Sequence, residues 1–354
     1  PWWDVRAYDY DLPRDLIAQT PATPRDASRL LIYNPRAHDL MHRHMYDLPD
    51  VLRADDVLVV NDCRVLPARL FARRAQSGGM VELLLTRRCA ATRWEAMVRP
   101  GRACRPGAVL HIADTTVHVL ATLPDGQRIV QFDMAPAIFD GWLEDHGVTP
   151  LPPYISRPHG VSDPADRARY QTVYARDGHA VAAPTAGLHF TDTLLAALRA
   201  KGCSVLALTL HVGIGTFKPV TADDVRRHVM HAEDCSLSPA IAAELNTARA
   251  RGRRIIAVGT TVLRTLEHCL AADGRFQPFS GATDLFIHPP NKIRSIDGLL
   301  TNFHLPRSTL LMMVAAWVGP QRWRSLYETA VRARYRFYSY GDAMLLLGES
   351  AGMK

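Results

Sequence analysis

A run of small apolar residues, Ala180 to Ala183, is cut off at Pro184, and the fifty residues around it restrict the fold more than any other stretch. Thr185 to Thr191 are small or polar and hold one glycine, Gly187, and one histidine, His189. From Asp192 apolar residues recur at Leu194, Leu195 and Leu198, which is the helical period. Thr191 is suited to cap that helix, and Gly202 to end it in a left-handed conformation. The run before Pro184 reads as a buried strand. Cys203 to Leu210 reads as another, opening into His211, Gly213, Gly215, Thr216 and Phe217. The pattern is strand–loop–helix–strand with both polar loops at the carboxyl ends of strands, where open α/β sheets bind their ligands. Thr185, His189, Thr191, His211 and Thr216 therefore mark the floor of an active site.

The same device recurs along the chain. Val57 to Val60 is a buried strand ending in Asn61, Asp62, Cys63 and Arg64. Arg254 to Val258 is a strand followed by Gly259, Thr260 and Thr261, and then by a helix bearing Arg264; N–H groups at such a helix start suit an anion. His304 lies in a loop before a buried helix that Ser308 or Thr309 can cap. Between 68 and 134 the texture changes to short alternating runs separated by Gly, Pro and Asp, which suggests a small barrel or sandwich. The expected fold is α/β: a mixed or mostly parallel sheet with helices over 1–67 and 135–354, carrying the active-site cleft, with an inserted small all-β barrel over 68–134.

Several function classes are excluded or disfavoured. No apolar run is long enough to span a membrane, and the first residues lack the apolar core of a signal peptide. Six scattered cysteines argue against a disulfide framework or a structural zinc and for a reducing, cytoplasmic setting. The net charge of +7 comes from arginine, which suits a phosphate-bearing partner but also follows from coding bias. No GxGxxG joins a strand to a helix and there is no GxxxxGK[ST], so neither dinucleotide nor P-loop binding is expected. His228 and His231 have a ligand-like spacing but no third ligand, so they read as loop histidines with Glu233 as a hydrogen-bond partner, and no metal is expected. Tyr335, Phe337, Tyr338 and Tyr340 read as core. His189, His211 and His304 occupy equivalent loop positions and point to one shared cleft.

Longer motifs carry a resemblance. AVAAPTAGLHFT, TLHVGIGTFKPV, HVMHAE, AVGTTVLRTLE, TNFHLPRSTLLM, YRFYSYGDAML, YDYDLPRDLIAQTP, RDASRLL, VVNDCRVLPARLF and RYQTVYA together resemble the S-adenosylmethionine:tRNA ribosyltransferase-isomerase family of queuosine synthesis, from about residue 8 to 347. The resemblance implies an α/β body with an inserted barrel. It implies S-adenosylmethionine as co-substrate, donating its ribosyl group to the aminomethyl group of a 7-deazaguanine at the tRNA wobble position. The products would be epoxyqueuosine in tRNA, adenine and methionine. The tRNA anticodon stem-loop is the implied partner, and a monomer is expected.

Read for that chemistry, a sulfonium acidifies the adjacent ribose carbon, and a histidine near neutrality is the natural base. The candidate catalytic residues are His189, His211 and His304. The candidate substrate-binding residues are Asn61, Asp62, Arg64, Tyr170, Gln171, Thr185, Gly187, Gly213, Gly215, Thr216, Phe217, Thr260, Thr261 and Arg264. Phe217 could stack on adenine; Arg264 or the Gly259–Thr261 turn could hold the methionine carboxylate. The chain departs from the family pattern at Cys63, at 288–292 (His288-Pro-Pro-Asn-Lys), and at His42, His44 and His179. Two other readings stay open: a paralogue using the same donor on another acceptor, and a non-catalytic RNA-binding protein.

Overall fold

The helix after the polar loop forms at Asp192–Lys201. Thr191 Oγ1 accepts the Leu194 N–H at 3.0 Å, and Gly202 closes the helix at φ +105°. Leu194, Leu195 and Leu198 are its buried face. The protein is described from a computed structural model, over residues 1–36, 39–157, 163–176, 178, 180–213, 220 and 222–348. The chain divides into two compact units. The first holds Pro1–Cys63, Thr172–Arg176 and Pro184–Lys354; the second holds Arg64–Gln171 and Asp177–Ala183.

Strands β1 (Arg29–Asn34), β2 (Asp39–His44) and β3 (Val57–Asn61) lie in the first unit. Strands β4 (Arg69–Arg74), β5 (Met80–Ala90), β6 (Arg93–Arg99), β7 (Val109–Ile112), β8 (Thr115–Thr122) and β9 (Arg128–Phe132) form the second. The chain then returns with β10 (Ser204–Leu210), β11 (Glu233–Leu237), β12 (Ile255–Val258), β13 (Phe279–Thr283), β14 (Gly298–Asn302) and β15 (Ala343–Leu347).

Among the described residues the first unit's sheet has nine strands in the order β13-β11-β10-β3-β12-β14-β15-β1-β2. Its centre, β10-β3-β12-β14, is parallel. Their carboxyl ends therefore share one edge. Strand β15 runs against β14 and β1 runs with β15, so the starts of β1 and β15 reach that same edge. The sheet is mixed, and both faces are buried. Leu30, Ile32, Leu58, Val60, Ile256, Val258, Leu300 and Leu345 meet Phe190 and the leucines of Asp192–Lys201 on one face. On the opposite face lies helix Thr260–His268, which packs against β3, β10 and β12. Tyr335, Phe337, Tyr338 and Tyr340 are core, and Ser308 caps the buried helix Thr309–Val318.

One strand expected from the sequence does not form. Ala180–Ala183 makes a single bridge, Ala180 to Val65, and its backbone belongs to the second unit. Three of its four residues are alanine, which has no branched side chain to favour the pleated form, and a short apolar run has no period to separate a strand from a buried loop.

The second unit is a closed six-stranded antiparallel barrel in the order β4-β5-β6-β9-β8-β7. Alternate residues such as Leu70, Val81, Leu83, Trp94, Val117, Val130 and Phe132 fill it. Helix Pro136–His146 adds Phe139, which stacks on Trp94, and Trp142, which meets Phe132 edge-on. The unit is wider than the span 68–134, because this helix and the chain as far as Gln171 pack with the barrel.

Candidate active site

Strand β14 ends in Thr301 and Asn302, and successive strand side chains leave on opposite faces. Each of the two holds a different histidine. Asn302 Nδ2 donates to the Tyr338 carbonyl at 3.2 Å and to His189 Nε2 at 3.0 Å. Its Oδ1 accepts the Thr185 hydroxyl at 2.9 Å. A carbonyl only accepts, so Tyr338 fixes which end of the amide is nitrogen. His189 Nε2 is then an acceptor, and its proton sits on Nδ1, 2.7 Å from Ser28 Oγ at the start of β1. His189 is thereby locked as one neutral tautomer. Burial, with the positive charges of Arg336 and Arg25 adding to it, holds its pKa down at about 3.

His304 belongs to the other face. Its Nε2 is 2.8 Å from Thr301 Oγ1, its N–H donates to the Tyr327 hydroxyl at 3.0 Å, and its carbonyl accepts the Tyr10 hydroxyl at 2.5 Å. Burial lowers its pKa to about 3 as well. The single cleft expected for three histidines is thus not what the sheet brings together: His189 and His304 hang from opposite faces of one strand end. His211 follows β10, half-buried, with its backbone N–H on the Asp234 carbonyl at 2.9 Å.

The two buried imidazoles set a pH dependence. Their pKa is about 3 when folded and near the ordinary 6.5 when unfolded, so the unfolded state binds more protons in between. Their stabilising contribution is complete above pH 6.5 and is lost as pH falls toward 3. Well below pH 6.5 the slope approaches about 3 kcal/mol per pH unit for the pair. Denaturant titrations at pH 7 and pH 5 should show this loss, and His304→Gln should roughly halve its slope. A stability flat between those values would contradict it.

The ends of β3 and β10 are tied by Asn61. Its amide donates to the Leu210 carbonyl at 2.9 Å and to Thr261 Oγ1 at 3.3 Å, and its oxygen accepts the N–H groups of Leu210 and Cys63, both at 3.1 Å. Beside it Asp62 accepts the Thr209 hydroxyl at 2.7 Å. Thr260 and Thr261 open helix Thr260–His268 after Gly259, which sits at φ +100°. The first N–H groups of a helix have no intrahelical acceptor. One turn on, the fully buried Arg264 pairs with the buried Glu233 through Nη1, and Glu233 Oε1 accepts the Gly213 N–H at 2.7 Å. Arg264 Nε is buried without a hydrogen-bond partner among the described residues. Gly187 is required by contact: a Cβ there would lie 2.1 Å from the Tyr174 hydroxyl.

Three of the expected binding residues lie in the second unit. Arg64 pairs with Glu144 at 2.9 Å, Tyr170 is fully buried, and the Gln171 amide clamps the Val65 backbone, accepting its N–H at 3.0 Å and donating to its carbonyl at 3.1 Å. Gly215, Thr216, Phe217 and His179 lie outside the described residues. His228 stacks edge-on to Phe286, His231 is exposed, and no group of three or more His, Cys, Asp or Glu among the described residues could hold a metal. Sequence reading missed the roles of Ser28, Asn302 and Tyr174. For Asn302 a signal existed, since β14 ends in asparagine just as β3 does.

A family model for a queuosine biosynthesis protein matches residues 5–346. The chain belongs to the queuosine biosynthesis family. Among curated members, an S-adenosylmethionine:tRNA ribosyltransferase-isomerase of Moorella thermoacetica is 50% identical, covering 97% of this chain and 99% of that one. The protein of the same name from Rhodospirillum rubrum is 49% identical, over 97% of each chain. The crystal structure of an S-adenosylmethionine tRNA ribosyltransferase from Thermotoga maritima aligns with a TM-score of 0.55 at 36% identity, covering 96% of this chain and all of that one. In this member of the queuosine biosynthesis family His288 stacks on Trp2 at 5.4 Å and its N–H donates to Asn291 Oδ1 at 3.0 Å.

Proposed function

We propose that the chain is an S-adenosylmethionine:tRNA ribosyltransferase-isomerase. It moves and isomerises the ribosyl group of S-adenosylmethionine onto the 7-aminomethyl-7-deazaguanine at the wobble position of a tRNA anticodon stem-loop. The products are epoxyqueuosine-tRNA, adenine and methionine. The observation that carries this reading is end-to-end likeness to a ribosyltransferase-isomerase at 50% identity.

The chain's own groups divide the work as follows. The donor's carboxylate is held at the start of helix Thr260–His268, where free N–H groups, the Thr260 and Thr261 hydroxyls and the positive end of the helix dipole favour an anion. Arg264 supplies charge beneath, and its unfilled Nε fits an acceptor oxygen better than an apolar neighbour. Asn61 fixes Thr261 and the turn into His211. His211, half-buried at the end of β10, is the base that takes the proton from the ribose carbon beside the sulfonium. His189 is a positioning residue, because both its ring nitrogens are committed and its basicity is suppressed. His304 holds the fold of the opposite face. The packing of His288 against Trp2 gives the altered loop a structural role, and so weighs against a different acceptor.

Calorimetry with S-adenosylmethionine and RNA-free protein tests the donor site. Binding is expected without tRNA, weakened about tenfold by Thr261→Val, which keeps the shape and removes a hydroxyl; such a loss is about 1.4 kcal/mol. Absence of binding to the wild-type chain would favour a non-catalytic RNA-binding protein.

A further inference from the structure

The barrel segment 69–132 carries ten arginines, no lysine and four carboxylates, so it accounts for +6 of the chain's formal +7. Their placement is uneven. Strands β6 and β7 stand opposite each other in the closed order, so the connection 100–108 must cross the end of the barrel. That crossing is tied down from inside. The buried Arg128 guanidinium donates to the carbonyls of Cys104 at 2.6 Å, Gly101 at 2.9 Å and Gly126, and Cys104 is fully buried below.

The cap so formed turns Arg102 and Arg105 outward, both exposed. Arg99 ends β6 and Arg73 lies near the end of β4, also exposed. They share this end of the barrel, since Arg73 pairs with Met80 at the start of β5 and Arg99 with Glu82 two residues on. The barrel's ion pairs use Arg69, Arg87 and Arg88. Arg99, Arg102 and Arg105 take part in none among the described residues. Two carboxylates lie near. Glu82 is paired with Arg69 at 3.0 Å, and Asp125 accepts from the Gln127 N–H at 3.1 Å and from its Nε2 at 2.6 Å. Fold stability does not explain three exposed guanidinium groups without counter-charges on a pinned cap.

We infer that this capped barrel end is a contact surface for the sugar-phosphate backbone of the tRNA, apart from the reacting base. This rests on the reading that the acceptor is carried by tRNA. Guanidinium groups match phosphate oxygens two at a time, and holding them on a fixed cap removes the cost of ordering them at binding. Residues 100–108 contain no aromatic side chain, so the cap is suited to phosphates rather than to stacked bases. It adds affinity without sequence discrimination.

The test uses the full chain with Arg99→Ala, Arg102→Ala and Arg105→Ala together, checked for an unchanged melting curve. tRNA binding is titrated between about 50 and 200 mM salt, without donor. Each lost phosphate contact lowers the log–log slope by about 1, so a fall of about 2 to 3 is expected. At about 0.15 M salt the affinity should drop roughly 100-fold, by about fivefold per contact. KM for tRNA should rise in parallel, with kcat and donor binding unchanged, and the triple Arg→Lys variant should recover most of the loss. A wild-type slope and KM in the alanine variant would overturn the inference, whether or not an acidic protein or another partner takes the patch. Failure of the functional reading shows separately, as wild-type protein that binds RNA but releases no adenine.

Discussion

Replacing His211 by alanine is expected to lower turnover by two to four decades while the chain keeps its fold. That range is what a positioned general base contributes, and corresponds to about 3 to 5 kcal/mol of barrier. The reason for choosing His211 is comparative. His189 gives Nδ1 to Ser28 and receives Asn302 at Nε2, so it has no lone pair to offer without dismantling a buried network. His304 is held by Thr301, Tyr327 and Tyr10 on the other face. His211 alone is half-buried at a strand end, one residue past the carbonyl that Asn61 grips. Accordingly His304→Gln should change stability and its pH slope but leave turnover within a few-fold. Asn302→Ala should lower stability by about 1 to 3 kcal/mol through the unpaired Thr185 and His189 groups, and act on turnover only as far as His189 shifts. Steady-state rates with tRNA, beside far-ultraviolet melting curves, separate these cases. Normal turnover in a folded His211→Ala chain would remove His211 from the role of base.

The second large effect belongs to the Arg264–Glu233 pair. Both side chains are almost wholly buried, so removing one takes away the opposite charge that offsets the other's desolvation. Arg264→Met should cost about 3 to 5 kcal/mol, seen as a fall in Tm on the order of 5 °C for a chain this size. Adding Glu233→Gln should recover much of that, because glutamine is neutral yet still accepts the Gly213 N–H. Donor binding should not recover with it. Recovery of stability together with donor affinity would show that the pair is only a structural tie. Failure of the double variant to regain stability would show that more than charge holds the site.

Much of this was legible from residue spacing, where spacing has a physical cause. The cap at Thr191, the leucines of Asp192–Lys201 and the left-handed Gly202 stand where periodicity and turn chemistry put them. The barrel announced itself through short alternating runs, and β3, β10 and β12 through apolar runs ending in polar residues. Ala180–Ala183 failed because alanine carries little strand preference. The site was legible only in part. A histidine in a loop looks the same whether or not its ring is fastened by an asparagine 113 residues away, as His189 is by Asn302. Likewise nothing in the spacing of Thr301 and His304 says on which face of the sheet the imidazole will lie. That depends on strand register, which is set by contacts between residues far apart in the chain. Arg264 and Glu233, 31 residues apart on different elements, are joined by the same long-range packing.

The central claim is that the donor gives up its ribosyl group and not its methyl. Methyl transfer leaves S-adenosylhomocysteine, in which adenine is still joined to ribose. Ribosyl transfer must break both the glycosidic bond and the carbon–sulfur bond, so adenine and methionine leave together. The most direct measurement is chromatography of the small molecules after incubating the protein with S-adenosylmethionine and tRNA bearing 7-aminomethyl-7-deazaguanine. Adenine and methionine in equal amounts, one of each per modified tRNA, is the expected result; S-adenosylhomocysteine without free adenine would contradict it.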